Sequence, residues 1–175
     1  ICGRICNRRC EDACTRGSID QAIAIDEVKK FIAQQDLDAE TRYIPKKVVP
    51  SLNGSFSEKV AIIGAGPAGL SCAFYLAEKG YSPVIFEKNE KPGGMLRYGI
   101  PSYRLPGSYL DRDIDTILST GVSVRVNCEV GTDVTLEELR RDYDSLYLAI
   151  GASLHKGLGI PGEDAKGVLS AIEML

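Results

Sequence analysis

The chain has 175 residues, of which 44% are apolar and 26% charged, and its formal net charge is −3. That balance suits a globular protein of one or two small domains, and the mild acidity argues against a nucleic-acid-binding surface. No apolar run approaches the ~20 residues of a membrane-spanning helix, and the start does not read as a secretory leader.

Six cysteines are unevenly placed. Cys2, Cys6, Cys10 and Cys14 crowd the start, whereas Cys72 and Cys128 lie singly within apolar surroundings, one in an expected helix and one in an expected strand, and read as packing residues. A tight cluster of this kind suggests metal binding in a reducing cytoplasm rather than a secreted disulfide framework. Spacing alone says only that thiols are grouped. It fits one face of a helix or a loop-and-turn arrangement, and it lacks both the separated pairs of a zinc knuckle and the bacterial ferredoxin pattern. Arg4, Arg8, Arg9 and Arg16 surround the thiols with positive charge. A helix follows, with Val28, Phe31 and Ile32 at helical spacing and Asp26 as its expected cap. Residues 1–35 thus form a small cysteine-bearing helical segment, and 36–57, broken by Pro45, Pro50 and Asn53-Gly54, read as a linker.

From residue 58 onward strands and helices alternate, which predicts an α/β fold with a parallel sheet covered on both faces. The run Val60-Ala-Ile-Ile-Gly64-Ala65-Gly66-Pro67-Ala68-Gly69 is a strand, a glycine turn and the start of a helix, and Glu87 closes the next strand. This is a dinucleotide-binding pattern. Gly64 permits the tight turn, Gly66 lets backbone approach a pyrophosphate, Gly69 brings helix and strand together, and Glu87 accepts from a ribose hydroxyl. Ser108 and Asp111 are spaced as a capping box before the stripe Leu110, Ile114, Ile117 and Leu118, and Gly121 ends that helix. Val122–Val126 is the next strand, with Val130 as its extension; Thr135 and Glu138 cap a short helix, and residues 145–150 form a last strand ending at Gly151. His155, the only histidine, falls in a loop, and no nucleophile–base pair is apparent, so no catalytic acid or base is assigned.

Three features separate FAD from NAD as the expected ligand. Ala73 and Gly80 continue the glycine spacing in the manner of flavoproteins. The glycine pair of Pro92-Gly93-Gly94-Met95-Leu96 follows closely on the ribose acid. Leu148-Ala149-Ile150-Gly151-Ala152 resembles the late "ATG" strand of flavoproteins with two dinucleotide domains, with Ile150 in place of the usual threonine.

With these motifs, and with Arg97-Tyr-Gly-Ile-Pro-Ser-Tyr-Arg104-Leu-Pro and Gly159-Ile-Pro-Gly-Glu-Asp164, residues 58–164 resemble the flavin domain of the glutamate synthase small subunit and its relatives. Those relatives include dihydropyrimidine dehydrogenase and the large subunit of NADH-dependent ferredoxin:NADP⁺ oxidoreductase. The resemblance implies a Rossmann-like FAD-binding domain over 58–175 preceded by a partial iron–sulfur segment. It places the FAD pyrophosphate at Gly64 to Ala68 and the adenosine ribose at Glu87 and Lys88. The phosphates and ribityl chain would pass Gly94, Met95 and Leu96, with Arg104 also on the flavin and Val130 near the adenine. It makes Cys14 a ligand of one [4Fe–4S] cluster and Cys6 and Cys10 ligands of a second. Asp26, Glu27 and Lys29 lie near the place of a non-cysteine fourth ligand. A single cluster on all four cysteines and structural zinc remain as alternatives. The implied activity is electron transfer between NAD(P)H and a redox partner, whether a glutamate synthase large subunit, a ferredoxin or a hydrogenase-type protein. On this reading the chain is an excerpt, and the NAD(P)H domain lies beyond Leu175. An NAD-dependent dehydrogenase and a non-catalytic docking module are the rival functions.

Overall fold

The computed structural model describes residues 1–41, 43–46 and 55–175. Pro50 and Asn53-Gly54, expected to break the linker, lie outside the described residues. The cysteine segment contains three helices, α1 (Cys2–Ile5), α2 (Arg9–Asp12) and α3 (Ile25–Asp38), with a 3₁₀ turn at Thr15–Ser18. The nucleotide half runs β1 (Val60–Ile63), α4 (Pro67–Glu78), β2 (Val84–Phe86), α5 (Met95–Tyr98), α6 (Gly107–Leu118), β3 (Ser123–Arg125), α7 (Leu136–Asp142) and β4 (Ser145–Leu148), and α8 (Ala171–Met174) follows.

The four strands form one parallel sheet in the order β3-β2-β1-β4. Ile62 lies opposite Ile85 and Tyr147, and Ile63 opposite Phe86 and Leu148. Because strand side chains alternate, the central strands feed two cores. Ile62 and Ile85 face Leu70, Ala73 and Ala77 of α4 and Leu110 and Ile114 of α6. Ala61, Ile63 and Phe86 face Leu139 of α7 on the other side. Burying each large aliphatic side chain contributes about 1.5–3 kcal/mol, so these two layers hold the half together. β1 is the center of the sheet, and β4 joins it on the side opposite β2. The chain therefore reverses direction across the sheet at β1/β4, and a crevice opens outside the strand ends there.

Local rules succeed at one helix start and fail at two others. Thr135 and Glu138 form the reciprocal box at α7, with Glu138 N–H donating to Thr135 Oγ1 at 3.1 Å and Thr135 N–H donating to Glu138 Oε2 at 2.8 Å. Ser108 and Asp111 do not cap α6: the helix starts after Pro106 without a side-chain cap, and Asp111 instead pairs with Arg97. Asp26 does not cap α3 either. It lies inside the first turn, 1% exposed, against Arg8 at 3.4 Å and Lys29 at 3.3 Å. α3 also continues through Asp38, past the expected boundary at 35. Val28, Phe31 and Ile32, which repeat at helical spacing, are 50–63% exposed. β3 is shorter than expected, and Val130 does not extend it but makes an isolated bridge to Val134. Cys128 consequently lies in the loop after β3, packed on the Phe86 core, while Cys72 packs on the Ile62 core and burial pushes its thiol up. Among the described residues no helix is long and apolar enough to cross a membrane.

Candidate functional site

A cleft of about 710 Å³ opens at the ends of β1, β2 and β4. Its floor is the glycine turn. Gly64 holds φ = +104°, and a Cβ there would stand 2.4 Å from the Ala149 carbonyl oxygen of the neighboring strand end. Gly69, one helical turn on, passes so close that a Cβ would meet Gly64 O at 1.9 Å. Only backbone fits at either place, so the turn lies flat beneath the cleft. α4 then begins at Pro67 with no side-chain cap, which leaves its first N–H groups available to an anionic ligand. A second glycine loop lies over the first: Gly93 N–H donates to Ala65 O at 2.8 Å, and a Cβ on Gly94 would come within 2.7 Å of Gly66 Cα. Arg97 fixes this loop by donating to Pro92 O at 2.7 Å while pairing with Asp111 of α6.

Of the residues expected from the sequence, Gly64, Gly66, Pro67, Ala68, Glu87, Lys88, Gly94, Met95, Val130 and Gly151 line this one cleft. Val130 does so while packing on the Phe86 core. Ala65 and Gly69 lie buried beneath it, and Leu96 packs into the Ile62 core instead. Arg104 is exposed on the turn after Pro101 and does not reach the lining. Sequence reasoning missed Asn89, Tyr98, Cys128 and Glu129, which also line the cleft. Asn89 stands two residues after Glu87 and Tyr98 lies inside the motif that begins at Arg97, which was the available signal. Glu87 is 4% exposed and accepts from Ala65 N–H at 2.7 Å, so the acid is tied to the glycine turn as well as facing the cleft.

The cysteine segment is different. Among the described residues no group of three or more His, Cys, Asp or Glu side chains is placed to hold a metal ion, so Cys6, Cys10 and Cys14 do not converge by themselves. Backbone hydrogen bonds from Ile23, Arg16 and Gly17 hold the Cys14 thiol below its ordinary range, and Lys29 Nζ stands 3.8 Å from Cys6 Sγ. The arginines contribute less than their number suggests. Arg8 pairs with Asp26 and Glu27, Arg16 with Asp20, and Arg4 lies 3.4 Å over the Tyr109 ring. His155 is exposed in irregular chain.

Residues 62–126 match the model of the NAD(P)-binding Rossmann-like domain. Across 94% of its length the chain is 40% identical to the NADP(+)-dependent formate dehydrogenase subunit beta of Moorella thermoacetica, covering 26% of that protein. Across 99% it is 39% identical to the NADH glutamate synthase of Schizosaccharomyces pombe, covering 8% of it. The chain is homologous, along nearly its whole length, to a set of oxidoreductases that includes these two. It spans about a quarter of the length of the formate dehydrogenase subunit and similar curated relatives. The fold alone is shared with FprA of Mycobacterium tuberculosis solved with NADPH, at a TM-score of 0.60 and 24% identity over 67% of this chain and 28% of that one.

Proposed function

We propose that this chain binds FAD in the β1/β4 cleft and serves an oxidoreductase that moves electrons between NAD(P)H and a partner protein or subunit. The observation that carries this is the double glycine loop, in which Gly64–Gly66 and Gly93–Gly94 lie in backbone contact in a cleft that Glu87 and Gly151 also line. A single turn of the Gly64 type serves NAD or FAD. The second loop, laid over the first beside the uncapped start of α4, extends the cradle past the pyrophosphate, which supports the longer flavin dinucleotide. Glu87 and Lys88 would hold the adenosine ribose, Gly64 to Ala68 the pyrophosphate, and Gly94 and Met95 the chain leading to the flavin. FAD held by these residues would supply hydride acceptance from a nicotinamide and release of electrons one at a time. The chain's own part is to orient the dinucleotide and to keep its phosphates against backbone N–H groups.

Cys6, Cys10 and Cys14 are proposed as thiolate ligands of [4Fe–4S] clusters completed by cysteines from outside these residues. The backbone hydrogen bonds to Cys14 and the Lys29 ammonium beside Cys6 support this, and the homology adds to it. An anaerobic visible spectrum with flavin and iron counts on the protein from its complete gene tests both parts. Flavin bands near ~450 nm over a broad iron–sulfur shoulder are expected. Bound NAD without flavin would overturn the FAD assignment, and zinc or no metal would overturn the cluster assignment.

A further inference from the structure

The acid at the end of β2 is more heavily engaged than a ribose acceptor needs to be. A carboxylate offers about four acceptor positions. Three on Glu87 are taken by protein N–H groups: Ala65 N–H reaches Oε2 at 2.7 Å, and Asn89 donates twice to Oε1, from its backbone at 2.9 Å and from its side-chain amide at 2.7 Å. With the side chain 4% exposed, this leaves one acceptor position, on Oε2, for anything in the cleft. Asn89 lines the same cleft and is only half-buried, and its amide has given one of two N–H groups to Glu87. The Asn89 backbone is itself fixed, because its carbonyl accepts from Asn127 N–H at 3.1 Å.

We infer that Asn89 is a positioning residue for ribose recognition: it locks the Glu87 carboxylate, and the Glu87–Asn89 pair together reads the two adjacent hydroxyls of an adenosine ribose. One hydroxyl donates to Glu87 Oε2 and the other meets the Asn89 amide. The ligand is then an adenine nucleotide with a free 2′-hydroxyl. A 2′-phosphate would bring nearly two negative charges beside a buried carboxylate. The lining offers little compensation, since among the described residues its charged side chains are Glu87, Glu129 and one cation, Lys88. The inference rests on the dinucleotide reading above and deepens it.

Calorimetric titration of the nucleotide-stripped, full-length protein with ADP, 2′-deoxy-ADP and 2′-phospho-ADP tests it. The unaltered protein is expected to prefer ADP over each analogue by ~10-fold, the scale of one hydrogen bond to a charged site. In Asn89→Ala the ADP to 2′-deoxy-ADP preference should fall to ~2-fold or less, and Asn89→Ser, which keeps a short donor, should recover part of it. Melting curves show that each variant is folded, and a purely structural asparagine would lower the melting temperature without moving the ratio. An unchanged ratio in a folded Asn89→Ala or Asn89→Ser variant overturns the role of Asn89 and leaves the nucleotide site standing. No ADP binding by the unaltered protein overturns the nucleotide reading and this inference with it.

Discussion

Residues 1–41 and the half that begins at β1 are held by different forces. In the first, the buried side chains among the described residues are Asp26 and Leu37, and Val28, Phe31 and Ile32 face outward. Its ion pairs join Asp26 with Arg8 and Lys29, Arg16 with Asp20, and Asp38 with Arg112 of α6, while Ile1 packs on the Ile62 core and Arg4 on the Tyr109 ring. In the second, two aliphatic layers sandwich a parallel sheet. A segment without an apolar core draws little stability from burial, so its order must come from what it binds or docks against. The nucleotide half is a pre-formed cradle. The cysteine segment carries thiols that do not converge by themselves, and it is attached to that half through α6.

The largest effect that would separate the two is at Gly69. Gly69→Val puts side-chain atoms into Gly64 O, where even a Cβ would lie at 1.9 Å, so the turn and α4 cannot both keep their places. A loss above about 4 kcal/mol in urea unfolding, with loss of nucleotide binding, is expected. A mild loss would mean that the cradle is less rigid than its packing implies. Next comes a matched pair of truncations. Leu110→Ala, at a residue 1% exposed, should cost about 3 kcal/mol, whereas Ile32→Ala, at 61% exposure, should stay within about 0.5 kcal/mol. Equal costs by thermal melting would show that the α3 stripe is covered in the intact protein and would dissolve the contrast.

The smallest effect is electrostatic. Hydrogen bonds from Thr135 hold the Glu138 carboxyl below its ordinary value of 4.5, and Arg16 does the same for Asp20 in the cysteine segment. Because the folded state binds the ionized forms better, this stabilization is fully present above the unfolded pKa values and is lost as pH falls through the depressed ones. Thr135→Ala should remove the cap at α7 for about 1 kcal/mol at neutral pH. Its difference from the unaltered protein should shrink under acid, as followed by melts at pH 7 and pH 3. A difference that grows under acid would contradict the capping box as its source.

What was legible in the sequence follows the range of the forces involved. The Gly64–Gly69 turn, the capping box at Thr135 and the alternation of the central strands are set within a few residues, and all three stand as read. Asp111 is spaced to cap α6, yet Arg97 claims it from fourteen positions away, and Asp26 is paired with Arg8 from within the cysteine run. Arg104 belongs to a recognizable motif but lies on an exposed turn, because motif membership does not aim a side chain.

By itself, then, the sequence determined a strand–glycine–helix unit, the acid that answers it and a thiol cluster ahead of it, since each depends on backbone sterics or local spacing. Only the tertiary structure decided that β4 returns beside β1 to open the cleft. It alone set Gly94 over Gly66 and bound Glu87 to both Ala65 and Asn89, and it left Cys6, Cys10 and Cys14 without a shared center. Those outcomes rest on contacts between residues far apart in the chain, whose energies depend on burial and mutual geometry that no local pattern encodes.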